Sequence, residues 1–330
     1  MRRLSSLIVA GMAAAIGWFV LQQYQSGGLA KLPIPGLNLN LSPTANAPPP
    51  ARGNDTIRVA TFNIQVFGEN KLNDAEAMRA IVAILQNFDL VAIQEVRAMS
   101  QDILPQLIQL LNSDGRFQYD YAIGPRLGRS SSKEQYAFVF DTQTIEMDRY
   151  KLYTVDDPDD LLHREPLVGW FRARGPAPEQ AFTFSLVNMH TDPDEVDHEL
   201  DVLDDVFFQV RDDPQRREDD VVLVGDLNAK ASNLRELGRI KGLVTVVSGE
   251  TPTNTLQNAQ YDNILFHQTA TSEFTGRGGV FDFLRQFNLT LQQAQQISDH
   301  FPVWAEFSVL EGGRVGPVAA RDGSGFGVGR

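Results

Sequence analysis

Hydrophobic and polar positions follow two different periods along the central part of the chain. Short runs rich in β-branched and aromatic residues predict strands at 57–64, 90–94, 136–140, 182–189, 221–224, 261–266 and 303–309. Apolar residues spaced three and four apart predict amphipathic helices over 74–87, 99–111 and 196–210. Asp74 is the expected N-cap of the first of these helices. This mixture predicts an α/β domain whose strands are buried between helices.

The pattern changes at the N-terminus. Arg2 and Arg3 precede a continuous apolar run over residues 7–21, an arrangement typical of a secretory signal peptide or an uncleaved signal anchor. We expect residues 1–24 to be that segment, with a buried core helix as the alternative. The protein is then anchored in a membrane with the rest of the chain outside the cytoplasm, or secreted if the segment is cleaved.

Two further segments lack hydrophobic periodicity. Residues 25–55 are rich in Gly, Pro and Asn, which predicts a flexible linker. Residues 311–330 are rich in Gly and predict a disordered tail. The predicted catalytic domain is therefore 56–310. Within it, the Gly-rich residues 276–279 indicate a loop.

Composition narrows the chemistry. The 330 residues include 42 acidic and 29 basic side chains, a formal net charge of −13, and no cysteine. The absence of cysteine excludes disulfides, thiolate zinc sites, iron–sulfur clusters and cysteine nucleophiles. The acidic balance argues against binding nucleic acid through a diffuse basic surface. It leaves open a nuclease whose carboxylates hold a metal ion, because the ion reverses the local field.

Acids and amides lie where the predicted strands end. They are Asn63, Glu95, Asp226, Asn228, Asp262 and Asp299. One such residue alone is more often a turn former or a helix cap, but open α/β sheets build their sites at strand ends. Several coinciding positions therefore indicate one shared site. Carboxylate and amide oxygens prefer hard cations such as Mg²⁺, Mn²⁺ or Ca²⁺.

Two of the five histidines belong to the same pattern. His190 ends one apolar run, and His300 directly follows Asp299. A histidine oriented by a carboxylate can act as general acid or base. We assign the remaining three, His163, His198 and His267, to ordinary core or surface positions. With Arg97 and Arg164 available to neutralise oxygens, the combination predicts metal-assisted hydrolysis of a phosphoester.

The same residues lie in motifs by which the sequence resembles the endonuclease/exonuclease/phosphatase superfamily, and within it the deoxyribonuclease I-like branch. Gly225-Asp226-Leu227-Asn228 and Ser298-Asp299-His300 are typical of the whole superfamily. Leu127-Gly128-Arg129 followed by Lys133-Glu134-Gln135-Tyr136, together with Arg164-Glu165-Pro166, indicate the narrower branch. The resemblance extends over residues 57–309 in the family's order.

This resemblance implies an α/β fold with four layers, an α/β/β/α sandwich of two packed β-sheets flanked by helices. The site is expected at one edge of the sheets. The resemblance also implies one or two divalent ions, Mg²⁺ or Mn²⁺, near Glu95, Asp226 and Asp299.

The resemblance further implies roles for individual residues. His190 is expected to pair with Glu134, and His300 with Asp262, as two acid–base couples. The residues expected to bind substrate are Asn63, Arg97, Arg164, Asn228 and Tyr261. Of these, Arg97 would enter the DNA minor groove, while Asn63, Asn228 and Arg164 would contact phosphate. Which couple is the base and which the acid stays open.

An acidic loop over residues 156–165 has two interpretations. One is a solvated acidic turn. The other, implied by the resemblance, is a structural Ca²⁺ site with ligands from Asp157, Asp160, the Leu162 carbonyl and Glu165. The sequence also departs from the family, because both of the family's disulfides are absent and Ser132 replaces an aromatic residue that stacks against DNA.

The leading functional hypothesis is a divalent-metal-dependent endodeoxyribonuclease of low specificity that acts on duplex DNA. No obligate protein partner is indicated. A second hypothesis is another superfamily activity, a phosphodiesterase or phosphatase acting on phospholipids or inositol phosphates at the membrane. The third, a catalytically silent binding module, predicts the loss of site residues, yet every expected acid, amide and histidine is present.

Overall fold

Two six-stranded β-sheets pack face to face and carry helices on their outer faces. The computed structural model describes residues 52–129 and 133–313. This architecture is the four-layer α/β/β/α sandwich that the resemblance implies, so the predicted fold class is confirmed. The predicted signal or anchor (1–24), most of the predicted linker, Ser132 and the predicted tail beyond Gly313 lie outside the described residues.

Twelve strands form the two sheets. They are β1 (Thr56–Phe67), β2 (Leu90–Val96), β3 (Tyr119–Ile123), β4 (Gln135–Asp141), β5 (Ile145–Thr154), β6 (Leu167–Ala173), β7 (Thr183–His190), β8 (Val221–Asp226), β9 (Leu243–Thr245), β10 (Asp262–His267), β11 (Phe274–Val280) and β12 (Val303–Ser308). The first sheet has the order β11-β12-β1-β2-β4-β3, and the second has the order β5-β6-β7-β8-β10-β9. Two neighbouring pairs, β1 with β2 and β7 with β8, are parallel, and the other pairs are antiparallel.

Seven α-helices accompany the strands in the described residues. They are α1 (Glu69–Leu72), α2 (Ala75–Leu85), α3 (Ile103–Leu111), α4 (Val196–Leu200), α5 (Leu203–Arg211), α6 (Phe283–Gln286) and α7 (Leu291–Ile297). As expected, Asp74 caps α2, and its carboxylate accepts hydrogen bonds from the backbone N–H groups of Glu76 and Ala77. Across the described residues, no helix combines the length and apolar composition needed to cross a bilayer.

Three hydrophobic layers hold these elements together. The inner layer fills the space between the sheets with residues such as Val59, Phe138, Phe171 and Val224. One outer layer packs α2, α3, α6 and α7 against the first sheet, and the other packs α4 and α5 against the second. Strands buried on both faces explain why the sequence shows nearly continuous apolar runs.

The alternation of side chains along the strands places the site between the sheets. In β1, Ile57 and Val59 belong to the inner layer, whereas Ala60 and Phe62 face the helices. Because successive side chains point to opposite faces, Asn63 continues the inner row. The strand does not end at Asn63 as expected but continues to Phe67 through an irregularity in its pairing with β2.

The secondary structure predicted from the sequence was wrong or incomplete for several elements. The Gly-rich residues 276–279, expected to be a loop, lie in edge strand β11. A Cβ at Gly278 would lie 2.7 Å from the Trp304 carbonyl oxygen, so glycine permits this close strand packing. Edge strand β5 was missed because its side chains are largely polar and partly exposed. The helix expected over 196–210 is interrupted at Asp201, which receives two hydrogen bonds from Arg235.

A buried ion-pair network closes the fold beside α2. Arg52 is only 14% exposed, and its guanidinium lies 2.9 Å from Asp141 Oδ2 and 3.4 Å from Asp89 Oδ1. It also donates to the carbonyl of Gln86 at 2.9 Å. Both carboxylates are almost fully buried. Each therefore depends on its partners, because a buried charge without compensation is costly.

We expect Arg52→Met to lower the free energy of unfolding by about 3 kcal/mol, since it leaves two buried carboxylates without their cation. Denaturant unfolding followed by circular dichroism measures the change. The matched control is Arg239→Met, which removes an exposed pair with Glu236 and should cost less than about 1 kcal/mol. Equal losses in the two variants would contradict the assignment.

Candidate active site

A cavity of about 500 Å³ opens at the edge of the sandwich where the inner layer becomes polar. It is lined by Asn63, Glu95, Arg97, His163, Arg164, His190, Asp192, Pro193, Asp194, Glu195, Asp226, Asn228 and His300. Eight of the residues predicted to form the site are among these. The structure therefore brings together side chains that are up to 237 positions apart in the sequence, from Asn63 to His300.

Asp226 lies at the centre of the cavity floor. Its Oδ2 atom is 3.6 Å from Nε2 of His190 and 3.6 Å from Nε2 of His300. Asn63 Nδ2 donates to the same oxygen at 3.0 Å, and the Asn228 backbone N–H donates to Oδ1 at 3.0 Å. The Asp226 carboxylate is thus surrounded by donors although only 1% of the residue is exposed.

Each histidine is held from behind by a buried acid. His190 Nδ1 lies 2.8 Å from Glu134 Oε1, and His300 Nδ1 lies 2.9 Å from Asp262 Oδ2. His190 ends β7 of the second sheet, whereas Glu134 precedes β4 of the first. Asp262 begins β10 of the second sheet, whereas His300 precedes β12 of the first. Both pairs therefore connect the two sheets, and in both Nε2 remains directed at the cavity.

The electrostatics of the second pair favour a protonated imidazole. Burial lowers the pKa of His300. The carboxylates of Asp262 and Asp226 together have the larger and opposite effect, and the resulting pKa is about 10. Burial raises the pKa of Asp262, and the opposing charge of His300 is too small to cancel this effect. Burial also disfavours the charged form of Asp226, yet the two imidazoles and its hydrogen bonds hold the pKa of that carboxyl below its usual range.

The first pair has the same arrangement with two added arginines. Burial opposes the ionisation of Glu134, but His190, Arg164 and Arg97 together lower the pKa of this carboxyl. Despite the effect of burial, Glu134 raises the pKa of His190. Arg97 Nη2 lies 3.6 Å from Glu134 Oε2, and Arg164 Nε lies 3.4 Å from Oε1. The guanidinium of Arg164 is nearly buried in the cavity wall and presents a positive charge to it.

A strained backbone positions Glu95. Its φ is 60°, and that of Val66 on the adjacent strand is 49°, values that are rare for residues other than glycine. Both lie where the pairing of β1, β2 and β4 shifts register. The bulge turns the Glu95 carboxylate into the cavity, where Oε1 accepts from Asn63 and Oε2 accepts from the Val66 N–H.

The register of the second sheet aligns three site residues. His190 pairs with Asp226 across parallel strands, and Asp262 pairs with Asp226 across antiparallel strands. Gly225 directly precedes Asp226 with φ of 154°, and a Cβ there would lie 1.9 Å from the Met189 carbonyl oxygen. The glycine of the Gly-Asp-x-Asn motif is therefore required for the approach of β7 and β8.

Lys71 and Ser298 support the site, although the sequence predicted no role for Lys71 and placed Ser298 only within the Ser298-Asp299-His300 motif. Lys71 Nζ donates to the carbonyls of Ile64, Gln65 and Ile297 at 3.2, 2.6 and 2.8 Å. Burial lowers the pKa of Lys71 to about 8. Ser298 Oγ donates to the Asn63 carbonyl at 2.7 Å. These bonds join the end of β1 to the segment that contains His300, and only the tertiary structure shows them.

His163 and Asp192 were also missed. His163, assigned to an ordinary position, lies in the cavity wall, and its Nδ1 atom is 3.5 Å from Asp192 Oδ2. Within the described part of the chain, both ring nitrogens are buried without a hydrogen-bond partner. In the sequence, the only indication that His163 lies in the site was its position next to Arg164. The exposed His198 and His267, which contacts the Lys241 carbonyl, have the surface positions expected for them.

Tyr261 and Asp299 lie beside the cavity rather than in its lining. The ring of Tyr261 is 5.7 Å from that of His300, in a tilted arrangement. Asp299 Oδ1 is 3.7 Å from His300 Nε2. In this site, the three potential ligand atoms that lie within 4.8 Å of one another belong to Asp226, Asp262 and His300, rather than to the expected set of Glu95, Asp226 and Asp299. The site thus contains acidic groups able to bind a metal ion.

The acidic loop satisfies many of its own oxygens. Both carboxylate oxygens of Asp157 accept backbone N–H groups, from Leu161 and Leu162. The Arg129 guanidinium lies 3.1 Å from Asp160 Oδ1 and donates to the Leu162 carbonyl at 3.0 Å. Arg129 therefore supplies positive charge where Ca²⁺ was expected. The calcium site stays a prediction, and so does the role of Glu165.

Comparison with known proteins agrees with this geometry. A family model described as the Endonuclease/Exonuclease/phosphatase family matches residues 60–300. The chain belongs to this family. It is 33% identical to deoxyribonuclease gamma of Mus musculus over 263 residues, covering 75% of this chain and 83% of that protein. It is 31% identical to deoxyribonuclease-1-like 1 of Homo sapiens over 280 residues, covering 82% and 90%. Within the family, it belongs to the deoxyribonuclease I-like branch.

Solved structures show the same fold at lower sequence identity. A humanized TDP2 from D. rerio has a TM-score of 0.52 and 14% identity, covering 76% of this chain and 98% of that one. The catalytic domain of human Nocturnin has a TM-score of 0.51 and 15% identity, covering 78% and 95%. The family's fold thus persists where most of the sequence differs.

The Asp262→Asn variant tests the electrostatics of the second pair. In metal-free protein, we expect His300 to titrate near pH 10. Because the Asp262 carboxylate raises this pKa, Asp262→Asn should lower the midpoint by at least about one pH unit. The titration of His190, which pairs with Glu134, provides the internal control. NMR of the histidine ring protons measures both midpoints, and an unchanged His300 midpoint would contradict the pairing.

Proposed function

We propose that this protein is a divalent-metal-dependent endodeoxyribonuclease of low sequence specificity. The observation that carries the proposal is the convergence of two histidine–carboxylate pairs on Asp226, in a cavity that also contains two arginines. Such a site suits hydrolysis of a phosphodiester, because proton transfer and charge neutralisation are both available. The names of the deoxyribonuclease relatives support this activity and support DNA as the substrate.

The two imidazoles can share the proton transfers of the reaction. One Nε2 receives the proton of the attacking water, and the other supplies a proton to the leaving oxygen. Glu134 and Asp262 hold the rings so that each Nε2 faces the cavity. Both Nε2 atoms lie 3.6 Å from Asp226 Oδ2, so either imidazole is placed to act as the base while the other acts as the acid. The raised pKa of His300 favours a form that already carries the proton to be donated.

The donor set of the site fits a hard divalent cation. Glu95 and Asp226 are bridged by the amide of Asn63, and Asp299 Oδ1 is buried without a hydrogen-bond partner among the described residues. Glu95, Asp226 and Asp299 would hold the ion, either Mg²⁺ or Mn²⁺. Such an ion supplies positive charge that stabilises the phosphate oxygens as charge develops on them.

The remaining polar residues would bind the substrate. Asn63 and Asn228 would orient the scissile phosphate, while Arg164 would neutralise it from the cavity wall. Arg97 is 28% exposed and would reach the minor groove of duplex DNA, while Tyr261, next to His300, would also contact the substrate. Because the whole chain has a net charge of −13, DNA binding would depend on these few local cations and weaken as salt increases, in proportion to the number of phosphates they contact.

We also propose that the N-terminal segment delivers the catalytic domain outside the cytoplasm. The support is the basic and apolar pattern of residues 1–24, which lie outside the described structure. The positively charged end of such a segment stays cytoplasmic. Uncleaved, the segment would hold the enzyme at the membrane, and cleaved, it would release a secreted nuclease.

Supercoiled-plasmid nicking by the full-length protein with Mg²⁺ tests the catalytic proposal. His190→Ala and His300→Ala should each reduce the rate at least about 100-fold, the usual scale for a positioned acid or base. The control is His198→Ala, because His198 is exposed on α4 and outside the cavity. Circular dichroism checks that each variant is folded.

Three outcomes would overturn parts of this proposal. A histidine variant with nearly wild-type activity would remove that histidine from the mechanism. Full activity in EDTA would remove the metal. Hydrolysis of phospholipid headgroups or inositol phosphates, without plasmid nicking, would instead support the other superfamily activity at a membrane.

Protease accessibility tests the location. In intact spheroplasts, a protease that cannot cross the membrane should digest the catalytic domain or find it already released to the medium. Disruption of the cells provides the control for intrinsic protease sensitivity. Full protection in intact spheroplasts, or a soluble cytosolic pool after fractionation, would contradict the proposed location.

A further inference from the structure

A second group of carboxylates lies at the other end of β8. Asp220 immediately precedes this strand, Glu273 immediately precedes β11, and Glu311 follows β12. One carboxylate oxygen from each residue lies within 4.8 Å of the other two. Six residues of β8 at about 3.3 Å per residue separate Asp220 from Asp226 by about 20 Å. The group is therefore distinct from the active site.

Two of these carboxyl groups are deeply buried and incompletely satisfied. Asp220 is 3% exposed and Glu273 is 1% exposed. Within the described residues, Asp220 Oδ1 and Glu273 Oε2 are buried without a hydrogen-bond partner. None of the ion pairs formed by residues 52–129 and 133–313 includes Asp220, Glu273 or Glu311. The cluster thus lacks the positive charge that buried acids ordinarily have nearby.

Neighbouring acids add further negative charge to the cluster. Glu218 is 6% exposed, and its Oε1 accepts the Asp220 backbone N–H at 3.2 Å. Burial and the charge of Glu273 raise the pKa of Asp220 to about 9. Burial likewise raises the pKa of Glu273 and of Glu311. Either protons or a bound cation must therefore offset the accumulated negative charge.

We propose that Asp220, Glu273 and Glu311 form a binding site for a divalent cation of the calcium type. Three carboxylates from three separate segments suit Ca²⁺, which accepts 6–8 oxygens in flexible geometry. Mg²⁺ demands near-ideal octahedral geometry and is usually bound by only one or two carboxylates. The unpartnered oxygens of Asp220 and Glu273 are available as ligands.

The proposed ion would join the two sheets opposite the catalytic edge. Asp220 flanks a strand of the second sheet, whereas Glu273 and Glu311 flank strands of the first. Two hydrogen bonds already hold the segment after β12 next to the cluster. Gly312 N–H donates to Glu273 Oε1 at 2.6 Å, and Glu311 N–H donates to the Gln180 carbonyl at 2.9 Å. The ion would therefore stabilise the fold without entering the reaction.

Terbium luminescence tests the site directly, because Tb³⁺ binds to calcium sites and emits when a nearby tryptophan is excited. Trp170 Nε1 donates to Glu218 Oε2 at 2.9 Å, which places the indole next to the cluster. In the full-length protein, we expect Tb³⁺ emission that disappears when excess Ca²⁺ displaces the bound Tb³⁺. Asp220→Asn with Glu273→Gln should abolish the Trp170-sensitised signal, and so should Trp170→Phe.

Matched variants separate this site from the other acidic groups. Glu95→Gln at the active site, and Asp157→Asn with Asp160→Asn in the acidic loop, should leave the Trp170-dependent signal intact. Glu311→Gln changes an exposed residue and weakens the signal even if the double variant fails to fold. If Tb³⁺ emission persists unchanged in Glu311→Gln and in the folded double variant, the proposal is wrong.

Thermal melting distinguishes a bound cation from bound protons. The charged groups facing Asp220 are Glu218, Glu273 and Glu311, and Asp219 acts on Glu273. Because the pKa of Asp220 is raised on folding, the metal-free protein should lose stability as pH increases from about 5 to about 8. Ca²⁺ at a hundredfold excess over Kd should raise Tm by about 5 °C at the higher pH and by less at the lower. Identical Tm values with and without Ca²⁺ throughout this range would overturn the proposal.

Discussion

One buried carboxylate sets the requirements that the rest of the site fulfils. Asp226 is removed from water at the end of a central strand, so its negative charge must be stabilised by protein groups. Two imidazoles, one amide side chain and one backbone N–H supply that stabilisation. Each of these donors comes from a different strand or loop, and each must arrive at a definite angle. The geometry of the cavity is therefore a consequence of keeping one acid ionised in the interior.

A polar layer makes the transition from the hydrophobic core to this charged edge. Gln94 donates to Asn188 Oδ1 at 2.6 Å, and Asn188 donates in turn to the carbonyls of Ile93 and Ala137. Thr61 completes the network through a hydrogen bond to Gln94. Satisfied buried polar groups specify one arrangement of the sheets, because a shifted arrangement would leave several of them unpaired. The network thus fixes the spacing of the sheets next to the site.

The sequence was informative where local pattern and chemistry coincide. Apolar runs interrupted by an acid revealed the strands and residues such as Glu95, because an unpaired carboxylate is costly within a buried strand. The family resemblance supplied the pairing of distant residues, which no local pattern contains. No role was predicted for Lys71, and His163 was assigned to an ordinary position, because the contacts that bring both residues to the site form only on folding. The residues 276–279 were misassigned because glycine usually marks a loop, whereas here it admits a closely packed edge strand.

The two histidine–acid pairs have a consequence for how this molecule can lose activity. Each pair takes one member from each sheet, so neither sheet retains a complete histidine–acid pair when the sheets separate. Partial opening that leaves both sheets intact would still abolish both couples at the same moment. Thermal inactivation should therefore coincide with the loss of sheet-to-sheet packing rather than with the later melting of secondary structure. The proposed catalytic apparatus is in this sense a cooperative property of the interface between the sheets, and it cannot be divided into two independently competent halves.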